Sequence, residues 1–235
     1  MKLSKGTALS IENILSTVKL IKVADLLITN DKVSGYNPDK TAFIMSELDL
    51  DEDFGSIGIN RLQTFLSRFN LIKDDENVEI TAIVDGDDDD KITKELKFKT
   101  KTVNMQYRCG SPKFISVPTV INDNEKYTIK IEDDLANFIG RATSSATTEN
   151  PKVKIINKDG KLSFELIDDS DDIIAIASEV EVDCEEDSNT FTFSYALDMF
   201  NALIKNSADN SFTIGARGIF KIEVNSLTFY MLPRA

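Results

Sequence analysis

The side chains that could do chemistry in this sequence are mostly carboxylates. Asp85-Gly86-Asp87-Asp88-Asp89-Asp90 sets oxygen ligands at alternate positions, as a calcium loop does. The glycine is misplaced, however, and the twelfth position from Asp85 is Leu96, so the run reads as a solvated loop. Asp168-Asp169 and Asp171-Asp172 could serve as an acid–base pair, but they precede Ile173–Ala177 and read as a hairpin tip. Histidine is absent, which removes Ser-His-Asp and Cys-His arrangements and the usual base near neutral pH. The two cysteines, Cys109 and Cys184, lie far apart without a CxxC neighbour. They argue against zinc or a disulfide framework and fit a reducing compartment. Neither GxxxxGK[ST] nor GxGxxG occurs. These residues predict no catalytic group, no metal and no cofactor.

Charge offers a second lead. The 235 residues hold 40 acids and 27 bases, a net charge of −13. A simple nucleic-acid binder has a basic surface, so composition alone points away from DNA. The sign is nevertheless segregated. Four helical windows, 9–20, 60–69, 134–145 and 197–206, sum to +2, while the rest sums to −15. The polar faces of those windows are otherwise hydroxyl and amide, for example Asn13, Ser16, Thr64, Ser67, Asn137 and Thr143. Such segregation matters more to a polyanionic partner than net charge does.

The elements that must carry these groups follow from periodicity. Ile11, Ile14, Leu15 and Val18 form one helical stripe, and Leu62, Phe65, Leu66 and Phe69 a second. Leu135, Phe138, Ile139 and Ala142 form a third, and Phe200, Leu203 and Ile204 a fourth. Ser10, Asn60, Asp133 or Asp134, and Asp198 are the expected caps. Elsewhere apolar and polar residues alternate, as in Val78–Val84, Leu96–Lys99, Tyr127–Ile131, Thr190–Phe193 and Phe220–Val224, predicting half-buried antiparallel strands. Asp159-Gly160 predicts a hairpin between Lys152–Ile156 and Leu162–Leu166, and Asn30-Asp31 a second. The order helix, hairpin, further strands, helix, three strands occurs twice, which predicts two domains of like topology. The expected division is 1–109, a connector over 110–124, and 125–235. Phe114, Ile115, Val117, Val120 and Ile121 are apolar for a connector, so it either lies pinned to the surface or roofs a groove. No segment resembles a signal peptide, and none approaches the roughly 20 apolar residues of a membrane span.

In this order of elements the chain resembles the DNA polymerase sliding clamps, and most of all the processivity clamps of T-even-like tailed phages. The opening Met1-Lys2-Leu3-Ser4-Lys5, the stretch from Phe193 to Leu203 and the close Leu227–Arg234 carry the resemblance. It implies an α+β fold of two similar domains, each with antiparallel sheets outside and two helices inside, assembling as a homotrimeric ring. It implies no catalysis: the ring encircles duplex DNA, tethers DNA polymerase and other DNA enzymes, and is opened by an ATP-dependent clamp loader. The expected compartment is cytoplasmic, that of the bacterial host for a phage protein. The implied DNA-facing residues are Lys5, Lys19, Arg61, Arg68, Arg141 and Lys205. A partner-peptide pocket is implied at Ile28, Val117, Val120, Tyr127, Ile219, Tyr230, Leu232 and Pro233. Subunits should join through edge strands near Thr100–Tyr107 and Ile173–Val180, with Met105, Tyr107, Ile174 and Ile176 at the interface. Ile173–Ala177 could instead be a central strand buried on both faces. The other reading of the whole chain is an acidic DNA mimic that occupies DNA-binding proteins; it predicts acidity on the helices too.

Overall fold

Apolar residues at spacings of three and four become four helices in a computed structural model of the chain. It describes residues 2, 5–50, 53–72, 78–86, 91–118, 121–146, 149–158, 161–168, 173–181, 183–184, 190–208 and 211–234. The chain divides into two units, Met1–Thr119 and Val120–Ala235.

Unit 1 runs α1 (Lys5–Val18), β1 (Asp25–Ile28), β2 (Lys32–Tyr36), β3 (Ala42–Glu47), β4 (Ile57–Ile59), α2 (Leu62–Phe69), β5 (Glu79–Asp85), β6 (Ile92–Lys99) and β7 (Asn104–Arg108). Its strands form two antiparallel sheets, ordered β4-β1-β2-β3 and β5-β6-β7. The expected hairpin at Asn30-Asp31 joins β1 to β2. The stripe of α1 is wholly inside: Ile11, Ile14, Leu15 and Val18 are all buried. Phe65 of α2 packs edge-on against Tyr107 at 4.7 Å and Phe98 at 5.7 Å, and stacks on Phe69 at 6.0 Å. Burial of each such ring contributes about 1.5–3 kcal/mol.

Unit 2 runs β8 (Glu125–Lys130), α3 (Asp133–Ser145), β9 (Lys152–Lys158), β10 (Lys161–Ile167), β11 (Ile173–Glu181), β12 (Asp183–Cys184), β13 (Phe191–Ala196), α4 (Leu197–Asn206), β14 (Ser211–Gly215), β15 (Phe220–Val224) and β16 (Leu227–Met231). Its sheets are ordered β13-β9-β10-β11 and β12-β8-β14-β15-β16. β9 and β10 pair antiparallel with Lys158 opposite Lys161, while Asp159-Gly160, the turn expected between them, lies outside the described residues. Phe200 anchors the core here. It packs against Phe212 at 5.6 Å, Phe220 at 5.4 Å and Tyr195 at 6.5 Å. The Tyr195 hydroxyl, fully buried, donates to the Gly218 carbonyl at 2.7 Å.

Three local expectations need correction. Ser10 does not cap α1, which begins five residues earlier. Arg61, not Asn60, holds the position before α2. Asp133, Asp134 and Asp198 stand inside the first turns of α3 and α4, where a carboxylate opposes the positive end of the helix dipole. Asp198 Oδ1 there accepts the Met199 amide at 2.8 Å. The open alternative for Ile173–Ala177 also closes. Among the described residues β11 pairs with β10 alone, so it is an edge.

Candidate functional site

The helices place the basic residues as follows. Lys19 opens the 3-10 turn after α1 and is exposed. It lines a depression of about 440 Å³ together with Glu12 and Ser16 of α1 and Gln63 and Ser67 of α2. Arg61 stands at the N-terminal end of α2, where the dipole disfavours a cation. Its guanidinium lies over the Tyr107 ring at 6.0 Å, a cation–π contact that offsets that cost. Arg68 occupies the last turn of α2, and Lys205 the last turn of α4, where a cation is favoured. Arg141 is exposed in the middle of α3. The Lys205 stem crosses α3 at Gly140, where an added Cβ would stand 2.9 Å from its Cε and Nζ. Lys5 is the first residue of α1. Among the described residues Lys19, Arg68, Arg141 and Lys205 form no ion pair. Several hydroxyls of the same faces bond their own helix: Ser16 to Asn13, Thr143 to Ile139 and Ser144 to Gly140. These surfaces therefore offer sparse, unpaired positive charge set among short polar groups.

Unit 2 carries a second feature. A depression of about 150 Å³ is lined by Ile121, Asp123, Glu125, Gly215, Ile219, Lys221 and Tyr230. Asp123 organises one wall. Its Oδ1 accepts the Arg217 amide at 2.9 Å and its Oδ2 the Ile219 amide at 3.0 Å. The Arg217 guanidinium donates to the Asn122 carbonyl, and the Ala216 amide to the Asn124 carbonyl at 3.1 Å. Residues 122–124 are thus stitched to the turn between β14 and β15. Only glycine fits at 215, because a Cβ there would stand 2.1 Å from Asp123 Oδ2. On the other wall Lys221 is ion-paired with Glu125, which raises the pKa of the lysine. Burial raises that of Tyr230, partly offset by Lys221. The chain end is held as well, since the Arg234 amide donates to the Ser194 carbonyl at 2.7 Å.

Of the expected pocket residues, Ile219 and Tyr230 line this depression, while Leu232 and Pro233 follow β16 half-buried. Two expectations fail as pocket walls. Ile28 has no exposed surface, because it faces the core of unit 1 from β1. Tyr127 is 3% exposed and packs on Phe191 with ring centres 4.4 Å apart. Val117 is half-buried in unit 1, and Val120 lies outside the described residues. In the connector Ile115 is buried, with its Cδ1 tight against Gly58, whereas Phe114 is 89% exposed. Sequence reasoning passed over Asp123, Glu125, Gly215 and Lys221. The available signal was Gly215-Ala216-Arg217-Gly218, a turn bounded by two glycines that needs a partner for its free amides.

The expected interface strands are both edges. β7 pairs only with β6, and β11 only with β10, among the described residues. Met105 is half-exposed on β7, and Ile176 is 53% exposed on β11. Ile174 lies on β11. Tyr107 is a correction, since its side chain is fully buried beneath Phe65 and presents nothing outward. Burial, reinforced by Cys109, raises its pKa. Among the described residues no group of three or more His, Cys, Asp or Glu could hold a metal, and no helix is long and apolar enough to cross a membrane.

A four-stranded antiparallel sheet, a second antiparallel sheet and two amphipathic helices, all occurring twice, define the fold of the DNA polymerase sliding clamps. Over its whole length the chain is similar to the beta sliding clamp of C. crescentus, with a TM-score of 0.70, 11% identity and 65% of that chain covered. It is likewise similar to the Helicobacter pylori beta clamp bound to a DNA ligase peptide, with a TM-score of 0.65, 16% identity and 66% of that chain covered. Against the proliferating cellular nuclear antigen of Entamoeba histolytica the TM-score is 0.61 and the identity 13%, with 100% of this chain and 98% of that chain covered. The chain therefore spans just under two thirds of these bacterial clamps and nearly all of the amoebal protein. No family model and no curated protein matches the sequence, so the likeness is one of fold.

Proposed function

We propose that this chain is a sliding clamp, a non-enzymatic ring of three copies that encircles duplex DNA and tethers DNA polymerase for processive synthesis. The observation that carries this reading is the repeat. Each unit presents two helices whose exposed faces carry unpaired bases and hydroxyls on an otherwise acidic chain. A ring holds DNA by topology and needs only weak attraction along its lining, since strong phosphate pairing would slow sliding. An acidic remainder keeps DNA off the other faces by like-charge repulsion. Lys5, Lys19, Arg61, Arg68, Arg141 and Lys205 are the proposed lining. Full-length likeness to the amoebal antigen supports the two-domain form. The unit 2 depression is the proposed dock for partner peptides. The H. pylori clamp carries a DNA ligase peptide, which supports peptide docking on this fold. With no nucleotide motif of its own, the ring would be opened by an ATP-dependent clamp loader. The resemblance at both chain ends favours a phage source of the T-even-like type, acting in the host cytoplasm.

The test is retention on DNA. Protein loaded onto nicked circular DNA should stay bound in about 0.5 M salt and leave within seconds of linearisation. Equal retention on circular and linear DNA would sink the reading. The DNA-mimic alternative predicts acidic helices and has less support, because the four bases and four acids of α1 to α4 balance on a chain of net charge −13.

A further inference from the structure

The sheets of the two units carry depressions of different kinds. In unit 1 a depression of about 480 Å³ beside β7 has Ile83, Ile92 and Cys109 in its lining. In unit 2 two smaller depressions share a wall. The first is the one of about 150 Å³ described above. The second, of about 160 Å³, is lined by Ser207, Ser211, Thr213 and Glu223. Glu125 and Lys221 line both.

The shared wall is a side chain laid across a strand. Lys221 stands on β15 and Glu125 on β8, and β14 runs between those two strands. Thr213 of β14 is the ladder partner of Lys221. To reach Glu125 the lysine stem therefore crosses β14 at Thr213. The ion pair is a bar that divides one groove into two. Its ends are 39% and 53% exposed, so solvent screens it and the bond exchanges readily. Beyond the bar the hydroxyl oxygens of Thr213 and Ser207 are buried, and neither has a hydrogen-bond partner among the described residues. Buried hydroxyls ordinarily have one. Glu223 is exposed and forms no ion pair among the described residues. The far depression thus offers acceptors in excess of donors.

We propose that this far depression is a subsite for a basic side chain of a docked peptide, and that Lys221 holds its place until the peptide arrives. The proposal rests on the reading of unit 2 as a peptide dock and names the peptide class. The incoming cation takes Glu125 and Glu223 as acceptors, together with the Thr213 hydroxyl that the stem had covered. Lys221 swings into water, and the two depressions become one groove. The exchange leaves no carboxylate without a counter-charge, since one cation replaces another at Glu125. Arginine fits better than lysine, because its planar fork donates to a carboxylate and a hydroxyl at once. The wider field favours the same ligand, with 21 acids against 11 bases in residues 120–235. An apolar residue against Ile121, Ile219 and Tyr230 with an arginine beside it is the expected peptide signature.

Titration of the full chain with Nα-acetyl-argininamide tests this, followed by the Thr213 and Glu125 amide resonances. Lys221→Met removes the bar and leaves the acceptors in place. It should bind the probe at least about tenfold more tightly than wild type, the scale of a charge-assisted hydrogen bond. Lys221→Ala is a second truncation, in which no long side chain can refill the space. Nα-acetyl-citrullinamide, the uncharged isostere, should show no such gain. Adding Glu125→Gln to either truncation should abolish it. Equal affinity of wild type and both truncations, equal affinity for the citrulline probe, or a gain that survives Glu125→Gln would each overturn the subsite. Loss of the β14–β15 resonances in both truncations would make Lys221 a structural strut and overturn its role as a placeholder. The probe is a single amino-acid amide, so these failures leave the peptide dock and the ring standing. Failure of the ring is read separately, from retention on circular DNA.

Discussion

The two units are variations on one topology. The sheet order β4-β1-β2-β3 of unit 1 reappears strand for strand as β13-β9-β10-β11 in unit 2. The second sheets also correspond, β5-β6-β7 with β14-β15-β16, but the strand before them differs. In unit 2 β8 pairs along β14 from Lys130 to Glu125. Among the described residues of unit 1 the counterpart is a bridge between Lys2 and Thr81. Charge diverges too, with 16 bases against 19 acids in residues 1–119 and 11 against 21 in 120–235. The lesson is that the cores repeat and the edges specialise. Phe65 and Phe200 occupy the same place, at the centre of a ring cluster beneath the second helix of each unit. The Asp123 network, by contrast, hangs on the β14–β15 turn and on the residues leading into β8.

The largest effects should therefore be symmetric. Phe65→Ala and Phe200→Ala should each cost about 3–5 kcal/mol in denaturant unfolding, since each empties a ring-sized volume from a rigid cluster. A large cost in one unit only would break the equivalence. The next effect should be confined to unit 2. Asp123→Ala removes the acceptor of two backbone amides and should cost about 1–3 kcal/mol. Hydrogen exchange of the Arg217 and Ile219 amides should accelerate at least about tenfold, while that of the β9–β10 ladder stays unchanged.

A chemical probe sharpens unit 1. Burial first, then the Glu95 carboxylate, raises the Cys109 thiol to about 12. The unfolded thiol ionises near pH 8.5, so between about 8.5 and 12 the folded state binds the extra proton. Stability from the neutral buried thiol is complete below about pH 8.5 and is lost as pH rises toward about 12. Wild type should accordingly lose stability relative to Cys109→Ala as pH climbs from about 8 to 11. In a Cys184→Ser background Cys109 should alkylate at least about tenfold more slowly at neutral pH than in denaturant. Equal rates would show that the pocket beside β7 opens freely to solvent.

Much of this was legible in the residues. All four stripes, both hairpins and the repeat follow from periodicity, because burial of one face leaves a pattern in the chain. The stripes misled only at their starts. α1 begins before Ser10 although Gly6 and Thr7 are weak helix formers, and Thr7 is buried there, so packing and not local propensity sets the start. Site residues were harder. Ile28 and Tyr127 have the composition of a pocket wall, yet both face inward from their strands, which a one-residue shift in register would have reversed. Tyr107 lies on the expected edge strand but points to the opposite face. The Asp123 network joins residues more than ninety positions apart and leaves no local pattern.

The smallest expected effects probe whether the helices have diverged along with the edges. Arg68 of α2 and Arg141 of α3 are exposed, and among the described residues neither forms an ion pair. Replacing either with Ala should leave the unfolding midpoint within about 0.5 kcal/mol of wild type, as for most surface substitutions. DNA is where the change should register. If each arginine meets one phosphate at a time, its loss should lower the slope of log affinity against log salt by about 0.9. Retention on circular DNA should be nearly unaffected in the proposed ring, where topology and not charge would prevent escape. The two variants should change the slope alike if the helix faces are equivalent around the duplex. A reduced slope for Arg68→Ala with none for Arg141→Ala would mean that DNA runs closer to unit 1, the less acidic half. The division of labour seen at the sheet edges would then extend to the helices.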